Sequence, residues 1–294
     1  MKKFTKIIAI AIPVLLWTAC SDSSSGSDET IQDPETQEPQ SSGSEQSLNL
    51  EQSSDSESTQ SSSEAFVPEE LVYDSLGFVD IGSAYHTVAP DEKVVFVLRH
   101  AERKSQTSKE TPLTSNGEQQ SQLVGQKLVG GEDFVFGHTD YVRTEETAHN
   151  IAIGRNQDTF IHDTIPQITS SWFVKNDSLR KSYISRDTSS NLVVALWAFH
   201  GLFADAFYDL EERGKEVVDT YLTKDYSKMP KAKVIISHDE FIVPLLAYAT
   251  LNTTNTRYDW NPWWVNYLTG VAIIVNSKNE KRYICVKGLE KAHL

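Results

Sequence analysis

From residue 71 onward the sequence predicts an α/β fold, a layered sandwich of helices packed on a sheet. Strand and helix signals alternate along the chain, which is the pattern of layered α/β architectures. The run Val94 to Leu98 is apolar at five consecutive positions, as in a strand covered on both faces. That run continues into Arg99-His100-Ala101-Glu102-Arg103, so a core strand ends in a dense cluster of ionisable groups. In open α/β sheets ligands sit beyond the carboxyl ends of strands. Taken alone, the decapeptide reads equally well as an interior strand followed by a solvated polar turn.

The elements follow in order. Lys93 to Leu98 is the first clear strand. Thr114-Ser115-Asn116-Gly117-Glu118 contains a Ser-x-x-Glu capping box, and Leu123, Val124 and Leu128 follow at helical spacing. Phe134 to Val142 reads as a second strand and Thr144 to Gly154 as a second helix. Between about 155 and 230 the pattern is weaker, with Leu192 to Arg213 read as one helix that sets Trp197, His200, Phe203 and Phe207 on related faces. Lys233 to Ser237 is a short β-branched strand and Asp239 to Leu251 a helix. Val271 to Val275 and Arg282 to Val286, separated by Asn276-Ser277-Lys278-Asn279-Glu280, close the chain as a hairpin. No internal repeat is visible.

Upstream of this the sequence divides into two further parts. Residues 1–20 carry Lys2, Lys3 and Lys6, then an apolar run from Ile7 to Trp17, then Thr18-Ala19-Cys20. The run is short for a bilayer span and has the charge layout of a secretory signal. Small residues before a Cys resemble a bacterial lipoprotein signal with Cys20 acylated; a cleaved ordinary signal with an incidental Cys fits the same features. Ser21 after the Cys resembles signals sorted to the outer membrane of the cell envelope. Residues 21–65 are Ser-rich, acidic and almost free of large apolar side chains, a composition expected of a disordered tether. Residues 66–294 are expected to form one domain.

Charge narrows the function. The formal net charge of -14 is concentrated in the tether, because residues 21–70 hold thirteen acids and no Lys or Arg. Residues 71–294 carry 28 acids against 24 bases, which excludes a basic excess of the kind nucleic-acid binding uses. Cys285 is the only cysteine besides Cys20 and reads as a buried strand residue. His86, His138, His149, His162 and His200 show no pairwise metal-ligand spacing and read as surface or satisfied core histidines. Asp259-Trp260-Asn261-Pro262-Trp263-Trp264 reads as a loop packed over the core, with a sugar or ring platform as the alternative.

Four segments carry the chemistry: Leu98-Arg99-His100-Ala101-Glu102-Arg103; Pro112-Leu113-Thr114-Ser115-Asn116-Gly117-Glu118-Gln119-Gln120; Arg143-Thr144-Glu145-Glu146-Thr147-Ala148; and Ile236-Ser237-His238-Asp239-Glu240. In that order and spacing they resemble the histidine phosphatase superfamily, over most of residues 90–290. The resemblance implies a three-layer α/β/α sandwich with a mostly parallel central sheet and no cofactor. It implies that His100 is the nucleophile that forms a phosphohistidine, and that Arg99, Arg103, Arg143 and His238 hold the phosphate. These residue types suit the reaction: a phosphoryl group in transfer spreads charge over its equatorial oxygens, and planar guanidinium groups match it.

The general acid departs from the mutase-like branch of the family. That branch uses a Glu some distance after the second Arg motif, and Ile165 to Phe173 contains no acidic residue. His238 is instead followed by Asp239, the pattern of the acid phosphatase branch, where the Asp protonates the leaving oxygen; Glu102, Asp163 and Glu240 are the next carboxyls in line. The expected activity is hydrolysis of a small-molecule phosphate ester by an exported enzyme tethered through lipid on Cys20. Mutase-like phosphoryl transfer and a non-catalytic phosphate-ester binding protein are the alternatives.

Overall fold

The computed structural model describes residues 66, 68–251 and 264–290. The signal segment with Cys20, the tether, and Asp259 to Trp263 lie outside the described residues. One seven-stranded sheet runs through the domain, made of β1 (Val79–Asp80), β2 (Lys93–Arg99), β3 (Val135–His138), β4 (Ile161–Thr164), β5 (Ala232–Ser237), β6 (Thr269–Val275) and β7 (Lys281–Lys287). Their order across the sheet is β1-β7-β6-β2-β5-β3-β4. Only the β7–β6 and β6–β2 pairs are antiparallel, so the sheet is mostly parallel and the closing hairpin supplies the exceptions.

Both faces of the sheet are buried, which is why β2 is apolar without alternation. Val95 and Val97 point into one core with Ile235, Val271 and Ile273. Val94, Phe96 and Leu98 point into the other with Val234, Ile236, Ala272 and Ile274. The first core is covered by α5 (Ser190–His200), α6 (Leu210–Val217) and α7 (Asp239–Thr250), and the second by α2 (Ser115–Lys127) and α3 (Val142–Gly154). This is the three-layer α/β/α sandwich.

Helices α2 and α3 touch backbone to backbone. A Cβ on Gly125 would lie 2.2 Å from the Ile151 carbonyl oxygen, and one on Gly154 would lie 2.0 Å from that of Gln122. Reciprocal glycines therefore set the approach of α3, the helix that carries Arg143, and any larger residue at either position must push the pair apart.

Several local expectations are corrected. The second strand stops at His138, and Val142 already belongs to α3, because Thr144 Oγ1 bonds the carbonyls of Thr139 and Tyr141 and turns the chain. The cap of α2 lies one residue earlier than the Ser-x-x-Glu reading: Thr114 Oγ1 accepts from the Gly117 amide at 3.0 Å. The stretch Leu192 to Arg213 is two helices, broken at Gly201, which adopts φ 69° as a left-handed cap. The short elements not anticipated include β1, α1 (Ile81–His86), β4 and α4 (Asp177–Ser182). Cys285 is buried in β7, and Trp264 is buried in the core.

Candidate active site

Three parallel strands deliver the site at their carboxyl ends. Arg99 is the last residue of β2 and pairs in register with Ser237, the last of β5; the His100 amide then bonds the Ser237 carbonyl at 2.9 Å. His100 and His238 thus leave adjacent strands at one level, with ring centroids 5.5 Å apart. On the far side of β5, β3 ends at His138, and Thr139-Asp140-Tyr141 leads into the first turn of α3, where Arg143 sits.

His100 is buried, and its tautomer is fixed. Nδ1 lies 2.8 Å from the Ala101 carbonyl oxygen, which can only accept, so Nδ1 carries the proton. The lone pair is therefore on Nε2, where it accepts from Arg143 Nε at 3.2 Å. Burial first, then the charges of Arg99, His238 and Arg143, holds this imidazole well below its ordinary 6.5. The ring is neutral at neutral pH.

His238 is fixed in the complementary way. Arg143 Nη2 lies 3.3 Å from its Nδ1, which accepts, so Nε2–H donates to Thr139 Oγ1 at 3.0 Å. Thr139 is in turn 2.9 Å from Thr144 Oγ1. Burial and the Arg143 guanidinium push His238 down to about 4.

Arg143 is the hub. Its three donor nitrogens reach His100, the Ser108 carbonyl (3.0 Å) and His238, while its plane lies over the Tyr141 ring at 4.4 Å. Burial, then nearby Arg103, lowers its pKa from its ordinary value.

A cavity of about 390 Å³ opens beside these groups, lined by His100, Arg103, Arg143, His238 and Asp239 among the anticipated residues. Arg99 does not line it. Its guanidinium packs over Tyr267 at 4.2 Å, donates to the Val265 carbonyl at 2.6 Å and pairs with Asp239 at 3.0 Å. Arg103 donates Nη1 to three carbonyls of its own loop, Lys104, Ser105 and Gln106. Neither Arg103 nor Arg143 is in an ion pair among the described residues.

Sequence reasoning missed the remaining wall. Thr107 and Lys109 come from the loop after β2, Asp140 and Tyr141 from the loop after β3, and Pro166, Thr169, Ser170 and Ser171 from the loop after β4. The strand-end rule that located Arg99 applies equally to Asp140 and Tyr141, and so could have found them. Lys109 has no local signal; it is placed by pairing with Asp140, which also lines the cavity.

The carboxyls sort by contact. Asp140 is held below its ordinary range by the Lys109 hydrogen bond. Glu102 is engaged by Thr114 and Asn116, and Asp163 is exposed on β4, away from this cavity. Glu240 is pushed up by burial, but its oxygens face Ser190 and Arg180. Among the described acids, Asp140 and Asp239 alone line the cavity. The arrangement thus presents a neutral imidazole lone pair beside guanidinium groups that lack carboxylate partners.

Comparison with known proteins follows the same lines. The family model described as histidine phosphatase superfamily (branch 1) matches residues 95–283. Similar solved structures include a phosphoglycerate mutase from Bacillus anthracis, 14% identical, with a TM-score of 0.45, covering 66% of this chain and 92% of that one. An alpha-ribazole phosphatase from Shigella flexneri is 15% identical, with a TM-score of 0.42, covering 68% and 100%. A mycobacterial glucosyl-3-phosphoglycerate phosphatase is 12% identical, with a TM-score of 0.39, covering 66% and 97%. No curated protein matches the chain.

Proposed function

Because the chain belongs to the histidine phosphatase superfamily, branch 1, we propose that it hydrolyses phosphate monoesters through a covalent phosphohistidine on His100. The observation that carries this reading is the His100 ring. It is neutral, its Nδ1–H is locked on the Ala101 carbonyl, and its Nε2 lone pair lies at the cavity wall beside Arg143.

In the first step His100 Nε2 attacks phosphorus while the ester P–O bond breaks. As the substrate enters, Arg143 Nε–H, keeping its proton, shifts its hydrogen bond from the His100 lone pair to a phosphoryl oxygen, so the same donor first guards the nucleophile and then binds its target. Arg103 and His238 complete the wall around the phosphate. The two guanidinium groups without ion pairs match the charge of a monoester dianion. Arg99, behind the cavity, contributes positive charge and holds Asp239.

Asp239 donates the proton to the leaving oxygen. Both carboxyls on the cavity wall are ion-paired, Asp140 with Lys109 and Asp239 with Arg99, so the assignment to Asp239 rests on its place directly after His238. Water then attacks the phosphohistidine, releasing inorganic phosphate, and the Asp239 carboxylate takes the water's proton. Where the mutase-like branch has a Glu, the loop after β4 supplies Thr169, Ser170 and Ser171, which fits donation from Asp239 instead.

The same proposal sets the enzyme in a bacterial cell envelope, tethered through lipid on Cys20. The three Lys residues, the apolar run and the small residues before Cys20 support it. Among the described residues no helix is long and apolar enough to cross a membrane.

The test is a panel of phosphate esters with the full-length chain, followed by quenching in alkaline denaturant, in which phosphohistidine survives, and mass spectrometry. Phosphate on His100 is the expected result, and His100→Ala abolishes turnover while retaining phosphate affinity through the arginines. Binding without turnover in the wild type would favour the phosphate-ester binding protein, and transfer to a second hydroxyl in preference to water would favour the mutase.

A further inference from the structure

We propose that His138, His162 and Glu145 form a binding site for one borderline divalent cation, of which zinc is the type, outside the catalytic cavity. No spacing in the sequence suggests it, because the three residues come from three elements. His138 ends β3, His162 lies in β4, and Glu145 is in the first turn of α3. The parallel register pairs Phe136 with His162, so the His138 side chain, two residues on, shares a sheet face with His162. Their ligand atoms and a Glu145 carboxylate oxygen all lie within 4.8 Å of one another.

The histidine chemistry is that of a metal ligand held ready. His138 is buried, and its Nδ1 lies 2.8 Å from the Thr139 carbonyl oxygen, so Nδ1 is protonated and Nε2 carries the lone pair. A ring nitrogen held on a backbone carbonyl is the usual outer support of a ligating imidazole. His138 Nε2 is 2.8 Å from His162 Nδ1, whose proton fills the place of the ion. Tetrahedral zinc with Zn–N of about 2.0–2.1 Å separates two such nitrogens by about 3.3 Å, so the rings need part by only about half an ångström.

His162 and Glu145 are exposed and can make that adjustment, whereas His138 supplies the fixed point. His162 exchanges its proton from Nδ1 to Nε2 through solvent, and no net proton is released. Phe160, 4.3 Å from the His162 ring centroid and nearly parallel to it, holds that plane. Two imidazoles and one carboxylate, leaving the fourth position for water, is a donor set suited to zinc rather than to magnesium or calcium.

Calorimetric titration of zinc into the chelator-stripped full-length chain tests the site, with cobalt as a visible-absorption probe of four-coordinate geometry. One saturable site is expected, weakened by roughly a hundredfold in His162→Ala and in Glu145→Gln. Both substituted side chains are exposed, and circular dichroism reports that each variant is folded. No saturable zinc binding to the wild type, or binding that survives both substitutions within about threefold, overturns the assignment.

Discussion

Arg143 Nε lies 3.2 Å from His100 Nε2, so the buried arginine and the buried histidine are joined at the histidine's lone pair. The other two nitrogens of the same guanidinium reach Ser108 and His238, which ties the segments after β2 and β5 to one planar group. A lysine ammonium has no such fork. Arg143→Lys is therefore expected to lower kcat/KM by roughly a hundredfold or more, the scale for losing a preorganised donor. Steady-state kinetics on one ester checks it, and a loss of less than about fivefold removes the hub role.

The two buried histidines predict a pH dependence of stability. Both are held below their ordinary 6.5 in the folded chain, so below that pH the unfolded chain binds more protons, and stability falls as pH drops from 6.5 towards 4. His238 alone contributes about 3 kcal/mol to that loss by the pH at which it titrates in the fold, on the order of one and a third kcal/mol per unit. Urea unfolding across this window should be steeper in pH for the wild type than for His238→Gln. Equal slopes would mean that His238 is not buried as a neutral ring.

Asp239→Asn separates acid catalysis from helix capping. A general acid matters most when the leaving group is strongly basic, so hydrolysis of alkyl phosphates should slow by roughly a hundredfold or more, and that of p-nitrophenyl phosphate much less. Asp239 Oδ1 accepts from the Glu240 amide at 2.9 Å, a bond that Asn preserves. Equal, small effects on both substrates would leave Asp239 as a first-turn residue of α7 and the partner of Arg99.

Turnover should be indifferent to chelators. Positive charge at the cavity comes from Arg103, Arg143 and Lys109, while the His138, His162 and Glu145 group is not part of its wall. Activity lost on chelation and restored by a divalent ion would assign the ion to the chemistry.

Labelled palmitate should enter the wild-type chain in bacteria and not Cys20→Ser. Equal labelling of the two removes the lipid tether from the proposal.

Sequence determined what short-range pattern encodes. The run Val94 to Leu98 reads as a strand buried on both faces, and β2 is that strand; His100 directly after it and His238 directly after β5 sit at the carboxyl ends of adjacent strands. Helices α2, α3 and α7 were legible because each is twelve or thirteen residues long with apolar residues at helical spacing, and α2 also has a capping residue. β4 was not: its four residues are all exposed at the sheet edge, so burial imposes no apolar period on them. The break at Gly201 was hidden because apolar residues continue on both sides of it, in two helices that pack on one core.

What only the tertiary structure decided are the contacts between distant residues. Arg99 meets Val265 across 166 positions and pairs with Asp239 on the cavity wall. Lys109 reaches Asp140, and His138 reaches His162, through loop closure and strand register rather than through any spacing along the chain. A motif specifies which residues arrive at a strand end. Which of them face the opening is set by the competing partners that packing brings alongside, and those partners are distributed over the whole sequence.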